Sequence, residues 1–186
     1  RLTDQKGIDL IADVVAVLDE LERAVGHGVG VAVLGSGDPQ LAERLRLAAT
    51  AHHDRLAFVE GYDDELAHLM FGAGDLLLMP SRFEPCGLAQ MQAIRYGTIP
   101  VVTDVGGLHD TVIDADRSRR GTGIVAATPT AVALFAALAR AVRLVHHRRR
   151  RAAIVERMMA LDWSWTAPAA EYVALYESLV GERRSN

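Results

Sequence analysis

The segment SRFEPCG at 81–87 combines groups that could bind a charged or hydroxylated ligand. It follows an apolar run and precedes an amphipathic segment, so its last residues would supply the open amides at the start of a helix. Such amides carry the positive end of the helix dipole and attract anions and hydroxyls. Gly87 would allow close backbone approach, and Glu84 offers an acceptor for sugar hydroxyls or for developing positive charge. The pattern alone fits a solvated turn at Glu84 and Pro85 as well.

Lys6 is the only lysine among the 20 basic residues of this 186-residue chain. It stands at the start of an apolar-periodic segment, where a compact, flexible ammonium could reach a phosphate that the helix start also attracts. Arg1 could add a planar guanidinium to the same group. Charge alone favours the alternative that both are ordinary surface cations.

Two loops place glycines directly after apolar runs. GSGD carries Gly35 and Gly37 but lacks the full GxGxxG spacing, and a tight strand-to-helix turn explains it sufficiently. GGLHDT begins with Gly106 and Gly107 before a helix start, where backbone amides could face a phosphate. A plain turn is the alternative there too.

Tyr62 and Cys86 are two further candidates. Tyr62, in GYDD, could stack on a nucleobase, although a partly buried structural tyrosine is the alternative. Cys86 could be a nucleophile, but the sequence places no histidine to activate it, so a pocket-lining role is favoured.

Two charged segments are interpreted as surface features. DAD at 114–116 is similar to aspartate pairs that hold a metal, but it follows a helix, and Arg117, Arg119 and Arg120 crowd it. We expect a surface loop there, without a metal. HHRRRR at 146–151 has no interleaved aromatic residues, so a solvated turn is favoured over nucleic-acid binding.

Short apolar runs alternate with segments of helical periodicity. Strands are predicted at 29–35, 56–61, 75–81, 99–104 and 123–127, and helices at 8–25, 39–51, 63–71, 88–96, 129–145, 148–160 and 166–180. This alternation predicts an α/β fold, with a doubly wound parallel sheet in a single Rossmann-like domain. Such sheets bind ligands beyond the carboxyl ends of their strands. We therefore expect one rim to contain the loops at 35–38, 61–64, 80–87 and 104–108.

Composition narrows the possible classes of protein. The hydrophobic fraction of 50% can build one core, and a net charge of −4 gives no overall attraction to nucleic acid or anionic membrane. One cysteine and the lack of a secretory signal or long apolar stretch favour a cytoplasmic setting. Because no methionine precedes Arg1, we expect the chain to be part of a longer protein.

Several segments, in order and spacing, closely resemble the C-terminal half of bacterial glycogen synthases and plant starch synthases. They are RLTDQKGIDL, GSGD, GYDDELAHLMFGAGDLLLMPSRFEPCGLAQMQAIRYGTIPVV, GGLHDTV and MALDWSW. PSRFEPCGLAQ followed by RYGTIPVV is highly specific. The resemblance covers essentially the whole chain and implies a retaining glucosyltransferase of the GT-B architecture, in which two Rossmann-like domains face a cleft.

The resemblance also implies roles for charged residues. Arg1 and Lys6 match the cationic pair that binds the distal phosphate of ADP-glucose and stabilises the departing diphosphate, and Glu84 matches the glutamate that faces the transferred glucose. Fixed cations gain strength as charge grows on the diphosphate, so no metal or other cofactor is expected. Gln92 stands where many related retaining transferases carry a second glutamate, which favours the synthases.

The remaining donor contacts are implied in the same way. Cys86, Gly87 and Leu88 match a loop whose amides meet sugar hydroxyls, and Tyr62 matches a tyrosine near adenine. The glycine loops complete the donor site, with Gly35, Gly37, Gly106 and Gly107.

The resemblance implies one domain over 1–186, with 161–186 as a closing helix that packs back toward an absent N-terminal acceptor domain. The α-glucan acceptor would bind through that domain, and this chain alone would bind donor weakly and catalyse little. Two alternatives stay open: a retaining transferase for another nucleotide sugar such as UDP-glucose, and a non-catalytic module that binds nucleotide or glucan.

Overall fold

The computed structural model describes residues 1–184, so the end of the expected closing segment 161–186 lies outside the described residues. The strands are β1 Val31–Gly35, β2 Leu56–Glu60, β3 Leu76–Met79, β4 Ile99–Thr103 and β5 Ile124–Ala126. A 3₁₀ turn, Asp4–Lys6, precedes the helices α1 Ile8–Val15, α2 Leu18–Val25, α3 Pro39–Ala51, α4 Asp64–Ala73, α5 Ala89–Tyr96, α6 Gly106–Thr111, α7 Ala131–His146, α8 Arg148–Met159 and α9 Thr166–Arg184.

All strand pairs in residues 1–184 are parallel, which confirms the predicted α/β class. Gly35 lies opposite Glu60 at the end of the β1–β2 pair, and Thr103 lies opposite Ala126 at the end of the β4–β5 pair. Strand β4 is buried at all five positions between β3 and β5 and contacts both α5 and α7. A strand this buried must be covered on both faces, as the doubly wound arrangement requires.

The strands form two sheets, β1–β2 and β3–β4–β5, rather than one continuous ladder. An apolar cleft of about 590 Å³ separates them, and its lining includes Val33, Leu78, Phe71 and Val142. Strands β1 and β3 are therefore only partly buried along most of their length, although their apolar sequences predict complete burial. The difference arises because each of these strands has a neighbouring strand on one side only and borders the cleft on the other.

The single helix predicted at 8–25 is wrong in one respect, because it is broken between α1 and α2. Val17 has φ −118° and ψ 20°, outside the helical region, and α2 begins at the next residue. Both helices contact α7, and the break lets each present its own apolar side, with Val14 and Leu21 almost fully buried. Gly26 ends α2 at φ 76°, a left-handed conformation that favours glycine.

The DAD segment is not the surface loop that its neighbouring arginines suggest. Asp114 is buried, and Arg140 of α7 places one Nη2 at 2.6 and 2.7 Å from its two carboxylate oxygens. Burial is the largest influence and opposes ionisation of Asp114, but the hydrogen bonds from Arg140 and from the Val125 and Asp116 amides, with the charge of Arg140, together hold the pKa of the carboxyl below its usual range. Asp116 bonds to Arg140 and Arg150, so this segment ties α7 and α8 to the loop before β5.

Residues 146–150 of the basic run are exposed, in agreement with the predicted solvated turn, but only His147 lies outside a helix, between the end of α7 and the start of α8. His147 caps α8 by accepting a hydrogen bond from the Arg150 amide at 3.3 Å. Arg151 reaches Asp75, before β3, at 2.6 Å. These arginines join elements of the fold.

The side chains of α9 that the structure describes are all exposed, among them Tyr172 and Tyr176. Trp165, just before the helix, is exposed as well. Among residues 1–184, the structure contains no helix that is both long and apolar enough to pass through a membrane.

Candidate functional site

The first residues of the chain connect loops at the carboxyl ends of the strands. The Leu2 amide donates to the Ser36 carbonyl, and the Asp38 amide donates to the Leu2 carbonyl, both at 2.9 Å. Arg1 is thereby placed beside the GSGD loop. Gly61 donates its amide to the Gly35 carbonyl at 3.2 Å, so the loops after β1 and β2 also meet.

The 3₁₀ turn Asp4–Lys6 joins this edge to the loop after β3. The Gln5 carbonyl accepts the Arg82 amide at 2.8 Å, and the Gln5 side chain donates to the Phe83 carbonyl at 3.1 Å. Gly7 follows at φ 66°, where any Cβ would collide with the Pro80 carbonyl. The chain therefore passes close to the end of β3 just after Lys6.

Lys6 and Glu84, 78 residues apart, form an ion pair between Nζ and Oε2. The side chain of Glu84 is only 5% exposed and that of Lys6 is 30% exposed, so the ammonium is open to solvent while the carboxylate is held inside. Ser81 Oγ lies 3.4 Å from the same carboxylate oxygen. The solvated-turn interpretation of Glu84 is therefore wrong, and the predicted cation and acceptor lie together.

Arg82, in the loop after β3, also bonds to the turn Asp4–Lys6 and to α1. Its Nη1 and Nη2 each lie 2.7 Å from one carboxylate oxygen of Asp9 in α1, and Nη1 also donates to the Asp4 carbonyl at 2.7 Å. This forked arrangement is the strongest geometry for an arginine–carboxylate pair. The side-chain hydrogen bonds from Arg82 lower the pKa of Asp9.

Replacing Asp9 with asparagine should lower the free energy of unfolding near neutral pH by about 1.5–3 kcal/mol, the usual contribution of charged hydrogen bonds. Because the native pKa of Asp9 is depressed, the ion pair contributes fully above the ordinary value of 3.8 and is lost as the pH falls through the native value. Urea unfolding of both proteins from pH 7 to pH 3 should therefore show a difference that shrinks with acid. A difference that stays constant with pH would contradict this account.

The loops that contain Glu84 and Gly107 are bonded backbone to backbone. The Gly107 amide donates to the Glu84 carbonyl at 2.8 Å, so this amide serves the loop and does not face a ligand as predicted. A Cβ at Gly106 would collide with the Glu84 carbonyl, and a Cβ at Gly107 would collide with the Cys86 carbonyl. The glycines here permit close contact between two backbone segments.

Helix α5 begins directly beyond this contact. Gly87 adopts φ 73°, a conformation suited to glycine, and Leu88 stands at the helix N-cap. Gln90 is completely buried and donates to the Cys86 carbonyl at 3.2 Å and to Thr111 Oγ1 at 3.0 Å. It fixes the loop from beneath.

Among the residues of the site, Tyr62 is 89% exposed and Leu88 is 67% exposed. Cys86 is exposed too, at the surface of the loop. The alternative that Tyr62 is a partly buried structural residue is wrong, since almost all of its side chain faces solvent. Stacking on a nucleobase stays a prediction.

A histidine on α6 adds charge to the rim. His109 Nδ1 lies 2.6 Å from Asp104 Oδ1, and this hydrogen bond raises the pKa of His109. Protonated histidine therefore persists to higher pH at this rim than in open solution.

Sequence reasoning missed three residues that build the site: Asp9, Arg82 and Gln90. Neither residue of the Asp9–Arg82 pair carries a local signal, because the two are 73 positions apart. Gln90 had a weak signal, as a polar residue in the first turn of a helix that buries Ala93 and Ile94.

The chain is similar in sequence and in structure to proteins that are already known. Residues 1–157 match the family described as "Glycosyl transferases group 1". The chain is 50% identical over 179 residues to the glycogen synthase of Anaeromyxobacter dehalogenans (strain 2CP-C), covering 96% of this chain and 36% of the relative. It is 47% identical over 187 residues to the glycogen synthase of Methylocella silvestris, covering 98% of this chain and 38% of the relative. The chain thus spans little more than a third of these relatives.

Among solved structures, the catalytic domain of starch synthase IV from Arabidopsis thaliana, bound to ADP and acarbose, matches with a TM-score of 0.86. The identity is 33%, and the match covers 97% of this chain and 37% of that one. Anabaena HepE in complex with UDP-glucose matches with a TM-score of 0.66 at 19% identity, over 86% of this chain and 41% of that one, which shows a shared fold.

Proposed function

The chain belongs to the group 1 glycosyl transferases, and we propose that it forms the donor-binding half of a glycogen synthase. The proposed enzyme transfers glucose from ADP-glucose to the non-reducing end of an α-1,4-glucan with retention of configuration. The observation that carries the proposal is the pairing of Lys6 with buried Glu84 where β3 ends and α5 begins. The relatives named glycogen synthase support the choice of reaction.

Lys6 would act on the charge that the reaction creates. Cleavage of the bond between glucose and the diphosphate leaves negative charge on the diphosphate, and a fixed ammonium binds that charge more strongly as it grows. Glu84 holds Lys6 on one side, and the open side of Lys6 would face the phosphates of the donor while Glu84 accepts hydrogen bonds from the glucose. Arg1, beside the GSGD loop, would add a second cation, and the proposal assigns no step to a metal.

The remaining donor contacts extend from this centre. The start of α5, with Cys86, Gly87 and Leu88, would present amides to the sugar hydroxyls. Tyr62 would stack on the base from the loop after β2.

The acceptor would bind through polypeptide outside this chain, in keeping with relatives nearly three times as long. The segment 161–186 would then close against that part, which would cover the aromatic residues exposed along α9. A cytoplasmic location belongs to the same proposal.

The deciding experiment supplies the full-length protein with ADP-glucose, UDP-glucose or GDP-glucose and a glycogen acceptor, and measures chain elongation. We expect elongation with ADP-glucose at a kcat/KM at least about tenfold above the other donors, the discrimination that 1.4 kcal/mol of differential binding provides. Preference for another nucleotide sugar would replace the donor in this proposal. Binding of ADP without any transfer would instead favour a non-catalytic nucleotide-binding module.

A further inference from the structure

We infer that Arg82 is a positioning residue that acts through Asp9 to hold Lys6 in register with the donor site. This inference rests on the proposed function, because it assigns Lys6 the task of stabilising the departing diphosphate. Arg82 itself points to Asp9 and Asp4 and not to Glu84, so it acts at a distance from the reacting atoms.

Lys6 needs its backbone to be held in place if its ammonium is to stay at one point. A lysine side chain is a flexible stem with a point charge, so the position of its ammonium depends on how firmly its backbone is held. Lys6 ends a 3₁₀ turn of three residues that contains no buried side chain. Packing therefore does little to fix this turn, and hydrogen bonds to the loop after β3 must do so.

Arg82 provides two of those hydrogen bonds and also bonds to α1, the helix that follows the turn. Its guanidinium reaches the carbonyl of Asp4 at the start of the turn and both carboxylate oxygens of Asp9 in the helix beyond it. Its own amide donates to the carbonyl of Gln5. Arg82 thus bonds to residues before and after Lys6 in the sequence. Since Arg82 also stands two positions before Glu84, these bonds set the distance between the Lys6 ammonium and the Glu84 carboxylate.

The chain contains a matched pair without this connection. Arg140 also bonds both carboxylate oxygens of an aspartate, Asp114, although through Nη2 alone, and its side chain is 30% exposed, against 32% for Arg82. That pair ties α7 to the loop before β5 and has no contact with Lys6 or Glu84. Arg140→Gln therefore imitates the loss of a buried ion pair without disturbing the turn.

The experiment is a double-mutant cycle on the full-length protein, with kcat for glucosyl transfer as the readout. Arg82→Gln should lower kcat by about 10- to 100-fold, the usual effect of a misplaced catalytic group, with less than about threefold change in the KM for ADP-glucose. In a Lys6→Ala background, Arg82→Gln should lower kcat by less than about threefold. Arg140→Gln should have the same effect on kcat with and without Lys6.

A second substitution guards against simple misfolding. Arg82→Lys keeps the charge but cannot bond both oxygens of Asp9 and the Asp4 carbonyl, so it should restore thermal stability more fully than kcat. If Arg82→Gln lowers kcat equally with and without Lys6, the positioning role is overturned while the proposed function stands. If Lys6→Ala leaves kcat unchanged, the proposed role of Lys6 fails, and this inference fails with it.

Discussion

Lys6→Ala is expected to reduce kcat for glucosyl transfer by about 10²- to 10³-fold in the full-length protein, the usual cost of removing one group that stabilises developing negative charge. The structure supports a large effect because the ammonium is held at one point by Glu84 and still has an open side. The KM for ADP-glucose should change less than kcat, since the attraction is greatest when the diphosphate departs. Steady-state kinetics with varied ADP-glucose measures both constants.

The substitution also leaves the carboxylate of Glu84 without its cation, so some loss of stability is expected. Rates should therefore be compared well below the melting temperatures of both proteins. Arg23→Ala is the matched control, because Arg23 pairs with Glu20 on the exposed surface of α2. Its kcat should stay within about twofold of the wild type, since exposed ion pairs contribute little. A Lys6→Ala enzyme with wild-type kcat would remove Lys6 from the mechanism.

The resemblance to glycogen and starch synthases predicts that Lys6 and Glu84 meet, because it assigns both to one donor site, whereas the rule for parallel sheets places only the loop with Glu84 at the edge where ligands bind. Loops that follow such strands lie at one edge whatever their separation along the chain. The caps of α3 and α2 depend on local sequence alone, since Asp38 before Pro39 and Gly26 after an apolar helix act through neighbouring backbone groups.

The errors concern pairings between distant side chains. The arginines next to Asp114 in the sequence predict a surface loop, yet the partner of Asp114 is Arg140 in α7, the next helix along the chain. The break at Val17 has a similar origin, because α7 lies against both α1 and α2 and no local signal records it. The local sequence pattern predicts helices, strands and their ends, whereas contacts between residues far apart in the sequence become visible only in the folded structure.

The split between the sheets shows the same limit for strands. The runs in β1 and β3 are as apolar as that in β4, and by pattern all three should be buried alike. Only β4 has a neighbouring strand on each side, while β1 and β3 border the cleft. An apolar sequence therefore predicts a buried strand, but the actual burial of the strand depends on whether other strands lie on both sides of it.

Gly107→Ala should lower the free energy of unfolding by roughly 3 kcal/mol, at the upper end of the cost of overpacking a close contact. The added Cβ would collide with the carbonyl group of Cys86, which is backbone and cannot rotate away as a side chain could. The loop from Glu84 to Cys86 must then move, which breaks the hydrogen bond from the Gly107 amide to the Glu84 carbonyl. For a chain of this size the melting temperature should fall by roughly 6–12 °C.

Gly28→Ala is the matched control for Gly107→Ala, because the nearest atom to its added Cβ is a carboxylate oxygen of Glu22 at 3.5 Å, an ordinary contact. Its melting temperature should stay within about 2 °C of the wild type. Since the moved loop also carries Glu84, Gly107→Ala should raise the KM for ADP-glucose in the full-length protein, whereas Gly28→Ala should not. Equal melting temperatures for the two variants would mean that the Cys86 carbonyl yields easily and that the contact between these loops does not fix the position of Glu84.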